Sequence, residues 1–223
     1  MQKIQQKIQK KIPYHMQAYA LLKDEILNHR ISGKDLINES ALSHELQISR
    51  SPIREALRML ECDKLLVSTP NGLIVNPLPP NEIKEIYDCR IMLESFAAYL
   101  TAKIITDDQL DYLANCIAAS KEAHAKGDIP TILENNTRFH EGIVEFCQNK
   151  YLLNLYNINR NLSTLSRSNE LHHRSDASYS EDHLKILEVL RCHNGPLAES
   201  CMRNHINNDR NYYLTHFNGA END

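Results

Sequence analysis

The stretch Ser49-Arg50-Ser51-Pro52-Ile53-Arg54-Glu55-Ala56-Leu57-Arg58-Met59-Leu60 decides the fold of the N-terminal part of this chain. Its apolar residues recur with the period of an α-helix, which predicts a helix with one buried face. Arginines follow one another at four-residue spacing, at positions 50, 54 and 58. Guanidinium groups on the first turns of such a helix can contact phosphates and guanine edges in a major groove. A plain surface helix fits this stretch about as well, so the neighbouring segments must decide between a DNA-reading helix and a plain surface helix.

The segments before the arginine helix predict a helix-turn-helix. A helical pattern runs over 14–30 and is broken by Ser32-Gly33, and Asn38 is placed to cap a short helix over 39–46. Ser51 is predicted to cap the arginine helix, with Pro52 at its first position, where no donor is needed. Helix, short helix, turn and helix is the order in which the last helix reads DNA.

A hairpin is predicted directly after the arginine helix. The β-prone runs 65–69 and 73–75 flank Pro70-Asn71-Gly72, and Asn-Gly between two such runs is a strong hairpin signal. A hairpin in this place is typical of a wing, whose tip, here Asn71 and Gly72, can reach phosphate or the minor groove. A plain hairpin that only seals the core is compatible with the same residues.

A proline-rich segment, Asn76-Pro77-Leu78-Pro79-Pro80, separates two parts of the chain, because prolines cannot continue a helix or a central strand. Beyond it six helices are predicted, over 81–105, 107–126, 129–147, 150–171, 178–193 and 196–217, with Asn81 and a capping box at Thr106 starting the first two. We therefore expect a mainly α protein: a winged helix-turn-helix domain over 12–76, a linker over 77–80 and an all-α bundle of six to seven helices over 81–218. Residues 1–11, rich in Gln and Lys, are expected to be a flexible arm, and 219–223 a tail.

Composition and charge limit the class of protein. Of 223 residues 42% are hydrophobic, which is enough for a folded core. Residues 1–78 carry 11 Lys and Arg against 8 Asp and Glu, and the rest carry 14 against 21, which fits DNA contact at one end. The six cysteines form no CxxC pair, and neither a secretory leader nor a membrane-length apolar run is apparent. We expect reduced thiols, a cytoplasmic location and no membrane partner.

Three histidines occupy inward-facing positions on three of the predicted helices. Asn136 and His140 share a stripe with apolar residues, and His183 and His205 lie on similar stripes. A single core histidine is more often one whose ring nitrogens are hydrogen-bonded, because an unbonded buried polar group costs about 1–3 kcal/mol. Three such histidines favour a metal site, since neutral imidazoles suit Zn, Ni, Cu or Fe.

Arg90 is a charged residue on an otherwise apolar stripe. An ion pair with Glu94, one turn later, is the ordinary explanation for such an arginine. On a core stripe, however, a guanidinium needs a desolvated anionic partner. His172 and His173 are adjacent and point in different directions, so we interpret them as surface or loop residues and not as ligands.

Taken together, these motifs resemble the GntR family of bacterial transcription regulators, and the second part resembles its FCD type, the FadR-like branch. The resemblance covers about residues 14 to 217 and includes the recognition-helix stretch, extended to Glu61. The bundle motifs that carry it are Tyr87-Asp88-Cys89-Arg90-Ile91-Met92-Leu93-Glu94, Arg138-Phe139-His140, Glu181-Asp182-His183 and Met202-Arg203-Asn204-His205-Ile206.

The resemblance implies a homodimer that binds a palindromic operator in double-stranded DNA through two winged modules. The residues implied in DNA contact are Ser49, Arg50, Ser51, Arg54, Arg58, Asn71 and Gly72. Of these, Arg50 and Arg54 match positions that contact bases, and the two serines match positions that bond phosphates. Some relatives read bases with an arginine near the start of the short helix, where this chain has Ser40. The operator sequence therefore cannot be carried over.

For the bundle, the resemblance implies a small organic acid effector and a metal held by an aspartate and three histidines. The matching metal-site residues are Asn136, His140, His183 and His205, and Arg90 matches the arginine that binds the effector carboxylate. Asn136 stands where the aspartate is expected, and an amide oxygen is a neutral and weaker ligand than a carboxylate. Two alternatives remain open: a Zn or Ni ion held mainly by the three histidines, and an effector bound without metal.

We therefore expect a ligand-responsive DNA-binding regulator, a repressor and not an enzyme. One alternative is an all-α metalloenzyme with an appended DNA-binding module, and another is a metal-free regulator with an acyl-type ligand. The enzyme would need an acid or base beside the metal, and no Glu or Asp is clearly placed next to the histidines as in HExxH.

Overall fold

A computed structural model of the chain describes residues 12–31, 36–174 and 178–217. The expected arm over 1–11, the helix break at Ser32-Gly33 and the tail over 219–223 lie outside the described residues. The chain divides into two compact units, one ending at Asn76 and the other beginning at Pro77. Within the described part, no helix is long and apolar enough to cross a membrane.

The first unit has the helix-turn-helix order that its sequence predicts. Its elements are α1 (Tyr14–Leu27), α2 (Glu39–Glu45), α3 (Arg50–Cys62), β1 (Leu66–Thr69) and β2 (Gly72–Val75). The apolar face of α3 packs against α1 and α2, and its buried residues are Ile53, Ala56, Leu57 and Leu60. Burying one large aliphatic side chain stabilises a fold by about 1.5–3 kcal/mol, so this face fixes α3 in place with its arginines outward.

The start of α3 differs from its prediction. The helix begins at Arg50, and Ser49 precedes it in an extended conformation without a side-chain capping bond. Ser51 therefore lies inside the first turn and Pro52 occupies the third position, so the prediction of a Ser51 cap is wrong. Proline is tolerated at this position because the first N–H groups of a helix have no partner within it.

The predicted Asn38 cap and the predicted hairpin of the first unit are confirmed. Asn38 caps α2, because its side chain accepts hydrogen bonds from the N–H groups of Ser40 and Ala41. In the hairpin, Thr69 pairs with Gly72, whose φ of +136° is a conformation that glycine adopts without strain. The hydroxyl of Thr69 donates to the Gly72 carbonyl at 2.8 Å and so holds the turn closed.

The second unit is the predicted all-α bundle, with six helices among the described residues. These are α4 (Pro80–Ala102), α5 (Asp107–Lys126), α6 (Ile129–Phe146), α7 (Lys150–His173), α8 (Ser178–Arg191) and α9 (Gly195–Phe217). Helix α4 packs against α6, α7, α8 and α9, most extensively against α9. Polar residues of α4 can therefore meet those of four other helices.

Two helix ends in the bundle differ from their predictions. Helix α4 begins at Pro80 after Pro79, so Asn81 lies inside the first turn and does not cap it. The fixed φ of proline suits the first helical position, where no N–H is required. Helix α7 continues to His173, so the predicted loop residues His172 and His173 form its last turn, the first half-buried and the second exposed.

Candidate functional site

Three histidine side chains meet in the interior of the second unit. His140 on α6, His183 on α8 and His205 on α9 are each at most 2% exposed. Their Nε2 atoms form a triangle with sides of 3.2 Å from His140 to His183, 3.1 Å from His183 to His205 and 3.3 Å from His205 to His140. Phe139 stacks on the ring of His183, with 4.2 Å between the ring centroids, and so limits its rotation.

This triangle is suited to a cation. A hydrogen bond between two ring nitrogens needs one N–H and one lone pair. Among three mutually close nitrogens, at least two must therefore face each other as two N–H groups or as two lone pairs, which repel. A divalent metal would use all three lone pairs at once. Ligand nitrogens about 2.1 Å from a metal and roughly 100° apart are about 3.2 Å from each other, which matches the triangle. The three histidines could therefore hold a metal ion.

The imidazoles of His140 and His183 are kept in the neutral form, which is the form that binds metals. Burial lowers the pKa of His140 to about 3, although the charge of Glu94 opposes the shift. Burial, together with the neighbouring rings, lowers the pKa of His183 well below its ordinary value. Nδ1 of His140 donates to Oε2 of Glu94 at 2.5 Å, and this bond leaves the Nε2 lone pair directed at the other rings.

Glu94 also holds two buried guanidinium groups. Nε of Arg90 donates to Oε1 of Glu94 at 3.0 Å, and Nη2 of Arg167 lies 3.7 Å from the same oxygen. Burial would raise the pKa of Glu94, but the charge of Arg90 and the hydrogen bond from His140 outweigh it and the pKa is lowered. The carboxylate is therefore ionised and binds residues of α4, α6 and α7 together.

The pair with Glu94 uses only one nitrogen of Arg90. Nη1 and Nη2 of Arg90 make no hydrogen bond to any residue in the described part of the chain, although the side chain is 1% exposed. A buried donor without an acceptor costs about 1–3 kcal/mol, and more when it is charged. A guanidinium fork suits two carboxylate oxygens, so these atoms favour an anionic ligand at this position.

A small cavity lies beside the histidines. Its volume is about 10 Å³, roughly the space of one water molecule. The lining residues are Asn136, His140, Arg167, Glu170, Leu171, His183, His205 and Asp209. The amide oxygen of Asn136 accepts a hydrogen bond from the hydroxyl of Ser120 at 3.5 Å. All four residues expected at the metal site thus face one cavity, and Arg90 is linked to it through Glu94.

Acidic residues lie closer to the histidines than the sequence indicates, so the expectation that none is placed beside them is wrong. Besides Glu94, Oδ2 of Asp209 lies 3.4 Å from Nε2 of His205, and Oδ2 of Asp182 lies 3.8 Å from Nδ1 of the same ring. Asp209 follows His205 by four residues on α9. A search for carboxylates one helical turn from each histidine would have found it.

A second charged group borders the cavity. Arg174 donates to one oxygen of Glu170, and its Nη1 atom also lies 3.4 Å from Oδ1 of Asp209. The hydroxyl of Tyr87 donates to the other Glu170 oxygen at 3.3 Å. Burial and the charge of Asp209 raise the pKa of Glu170 to about 8, although Arg174 opposes the shift. Sequence reasoning missed Glu170 and Arg167. The pair of Glu170 with Arg174 is local, but its bond from Tyr87 and the pair of Arg167 with Glu94 join different helices.

The residues expected to contact DNA are all exposed on the first unit. They are Ser49, Arg50, Ser51, Arg54, Arg58, Asn71 and Gly72. Arg54 is held by Glu39 of α2, because its Nε and Nη2 atoms donate to the two carboxylate oxygens at 3.3 and 3.0 Å. Ser40, next to Glu39, is exposed as well. The short helix and the arginine helix therefore present one joint surface.

Comparison with known proteins agrees with the fold. Residues 85–208 match the FCD domain family, and residues 15–72 match the bacterial regulatory proteins of the gntR family. The chain is 33% identical over 207 residues to the HTH-type transcriptional regulator YdhC of Bacillus subtilis (strain 168), covering 91% of this chain and 92% of that protein. It is 30% identical over 136 residues to the gluconate operon transcriptional repressor of Bacillus licheniformis, covering 61% of this chain and 56% of that protein. The crystal structure of a GntR transcriptional regulator from Rhodococcus sp. RHA1 has the same fold, with a TM-score of 0.78, 19% identity and coverage of 91% of this chain and 98% of that chain.

A winged helix-turn-helix joined to this helical bundle defines a DNA-binding transcription regulator. The chain belongs to the GntR family of bacterial regulators and carries an FCD domain. The two relatives named above are likewise transcription regulators.

Proposed function

We propose that this protein is a homodimeric repressor that binds a palindromic operator, and that a small organic acid at a metal centre in the FCD domain changes its affinity for DNA. One observation carries the proposal: the Nε2 atoms of three buried histidines lie within 3.3 Å of one another. The buried Arg90 is joined to one of them, His140, through the carboxylate of Glu94. Buried imidazole rings that point at one another serve no structural purpose that apolar side chains would not serve better.

The metal centre would be formed by His140, His183 and His205, with Asn136 at its edge and Zn or Ni as the ion. When bound, the metal supplies a positive charge that a ligand carboxylate can coordinate. Arg90 would bind a carboxylate through its two unbonded Nη atoms. Because the cavity holds about one water molecule, an organic acid requires the surrounding helices to shift. This shift is the proposed link between ligand and DNA affinity.

The DNA-contact role rests on the exposed arginines of α3. Arg50 and Arg54 would contact bases and Arg58 phosphate, while Ser49 and Ser51 would bond phosphates at the helix start. Asn71 and Gly72, at the tip of the hairpin, would reach the backbone or the minor groove. Ser40, near the start of the short helix, offers a hydroxyl and not a guanidinium group. The operator sequence is therefore expected to differ from one that is read by an arginine at this position.

The dimer role rests on an apolar face of α4 and α7. Its exposed side chains are Met92, Phe96, Tyr151, Leu155 and Ile158, with 46–76% of each exposed. A groove of about 420 Å³ lies among them, lined mainly by apolar residues of the same two helices. Contiguous exposed apolar surface is typical of protein–protein contacts, and a second copy of this chain would cover it.

Metal analysis and operator binding test the proposal together. The purified protein is analysed for bound metal, its operator is selected from random DNA, and fluorescence anisotropy measures operator affinity with and without candidate organic acids. We expect one metal ion per chain and an acid that changes the affinity. Arg90→Ala and the charge-preserving Arg90→Lys should bind operator but lose most of the response, whereas Arg203→Ala, at an exposed arginine of α9, should retain it.

Other results would select a different function. A response to acyl compounds in protein that holds no metal, before or after Zn or Ni is added, would indicate the metal-free regulator. Unchanged affinity of Arg90→Ala for a verified effector, measured by calorimetry, would remove Arg90 from the effector site. Hydrolytic turnover by the intact protein would indicate the metalloenzyme.

A further inference from the structure

The four residues that match the expected metal site include no carboxylate, because residue 136 is an asparagine. Three neutral imidazoles and a neutral amide leave a divalent cation without any compensating charge from its ligands. An uncompensated charge in a protein interior is costly. The site is therefore expected to contain an anionic ligand from elsewhere in the chain. This reasoning rests on the metal centre proposed above.

The acidic residues around the histidines approach two different sides of the rings. Glu94 contacts Nδ1 of His140, and Asp182 lies 3.8 Å from Nδ1 of His205. These nitrogens face away from the triangle, and carboxylates in such positions orient metal-binding histidines from outside. Asp209 differs from both, because its Oδ2 lies 3.4 Å from Nε2 of His205, a nitrogen of the triangle itself.

The position of Asp209 on α9 explains this contact. Asp209 follows His205 by one helical turn, so the two side chains lie on the same face of the helix. Asp209 is 5% exposed and lines the cavity together with all three histidines. Its other oxygen, Oδ1, lies 3.4 Å from Nη1 of Arg174, which is a long distance for a charged hydrogen bond. The carboxylate can therefore turn toward the cavity without losing a short bond.

We propose that Asp209 is the fourth protein ligand of the metal, and that it supplies the negative charge absent at Asn136. The ligand set is then His140, His183, His205 and Asp209, with two of the four on α9. In this arrangement Asn136 stays bonded to Ser120 at the edge of the cavity and is not required for binding. The total ligand charge equals that of the one-aspartate, three-histidine site, but the carboxylate comes from another helix.

Metal affinity of the full-length protein provides the first test. Asp209→Asn keeps the shape of the side chain and removes its charge, and Asp182→Asn is the matched control, since the carboxylate of Asp182 faces the other ring nitrogen of the same His205. Zn²⁺ affinity is measured by competition with a chromophoric chelator. We expect Asp209→Asn to lose more than the ~10–100-fold typical of residues that only orient a ligand, and Asp182→Asn to lose no more than that. Asn136→Asp, added to Asp209→Asn, should restore much of the affinity.

Spectroscopy provides a second test that does not depend on the stability of one variant. Asp209→Cys and Glu170→Cys are loaded with Co²⁺, and their near-ultraviolet spectra are compared with that of the Co²⁺-loaded wild-type protein. A thiolate bound to Co²⁺ gives an intense charge-transfer band, so we expect a new band for Asp209→Cys and none for Glu170→Cys. Circular dichroism checks that each variant is folded.

The outcomes separate this proposal from the metal site on which it rests. If His183→Ala abolishes metal binding while Asp209→Asn keeps wild-type affinity and Asp209→Cys adds no band, Asp209 is not a ligand and the histidine site stands. If Asp209→Asn and Asp182→Asn weaken binding equally, the effect is one of general electrostatics and the proposal is also overturned. If the wild-type protein binds neither Zn²⁺ nor Co²⁺, both the histidine site and Asp209 ligation are excluded.

Discussion

Arg90 of α4 and His140 of α6 are bound to opposite oxygens of a single carboxylate, that of Glu94. The distances are 3.0 Å from Nε of Arg90 to Oε1 and 2.5 Å from Nδ1 of His140 to Oε2. The residue proposed to bind the effector and a residue proposed to bind the metal therefore share one partner. A displacement of either side chain changes the hydrogen bond of the other.

Glu94→Gln tests this shared partner. The amide cannot balance the two buried guanidinium groups of Arg90 and Arg167, so we expect unfolding to become about 3–5 kcal/mol easier in urea titrations. We also expect metal affinity to fall about 10–100-fold, because the outer nitrogen of His140 loses its carboxylate. Glu199→Gln, which breaks an exposed pair with Arg203, should cost only about 0–1 kcal/mol. Equal losses in the two variants would contradict a special role for Glu94.

The pair between Glu39 and Arg54 leads to a prediction about DNA. Arg54→Ala should weaken operator binding by about 1–3 kcal/mol and relax base preference at one position. In Glu39→Gln the arginine keeps its charge but loses the carboxylate that orients it. The affinity for random DNA should then remain unchanged or increase, since a negative charge is removed. The preference for operator over random DNA should decline. Anisotropy titrations with both DNAs measure this ratio, and an unchanged ratio would show that Glu39 does not orient Arg54 for reading.

The apolar face of α4 and α7 predicts where the dimer forms. Phe96→Glu and Leu155→Glu place a charge on this face, and burying an unpaired charge strongly opposes association. Sedimentation equilibrium should give the mass of one chain for these variants and of two chains for the wild-type protein. Leu197→Glu, at a half-exposed leucine at the start of α9, is the control and should leave the mass unchanged. A dimer that persists in both face variants would locate the interface elsewhere.

The raised pKa of Glu170 predicts how stability depends on pH. Its pKa is about 8 in the folded protein and near ~4.3 in the unfolded chain, so between these values the folded state binds the extra proton. Glu170 therefore makes the protein less stable as pH rises from about 5 to 8, by at most ~1.4 kcal/mol per pH unit. Glu170→Gln should gain melting temperature relative to wild type over this range. The measurement uses chelator-treated protein, and Glu122→Gln, at an exposed carboxyl of α5, should show no such trend.

The fold could be predicted from the sequence because its signals are local. The stripe that contains Ile53 and Leu57, the turn at Asn71 and Gly72, and the helical periods of the bundle each depend on neighbours within a few residues. The predicted helix starts at Ser51 and Asn81 are wrong by one or two residues, since neither helix has a side-chain cap and a proline in the first turn leaves one N–H group fewer to be capped.

The histidines were predictable for the same reason, but their partners were not. The stripes around His140, His183 and His205 showed that these side chains point inward. Which carboxylate meets which ring depends on how α4, α7, α8 and α9 pack, and no local pattern determines that. Glu94 was considered only as the partner of Arg90, and its contact with His140, 46 residues away, required the tertiary structure.

The size of the cavity beside the histidines has a kinetic consequence. A space of about 10 Å³ is too small for the proposed organic acid, so under that proposal the bundle opens first and only the opened form captures the ligand. In stopped-flow mixing, the observed rate should rise with ligand concentration at first and then approach a plateau equal to the opening rate. The delay between a change in metabolite level and a change in transcription would then be set by the opening rate of the helical bundle and not by diffusion of the ligand.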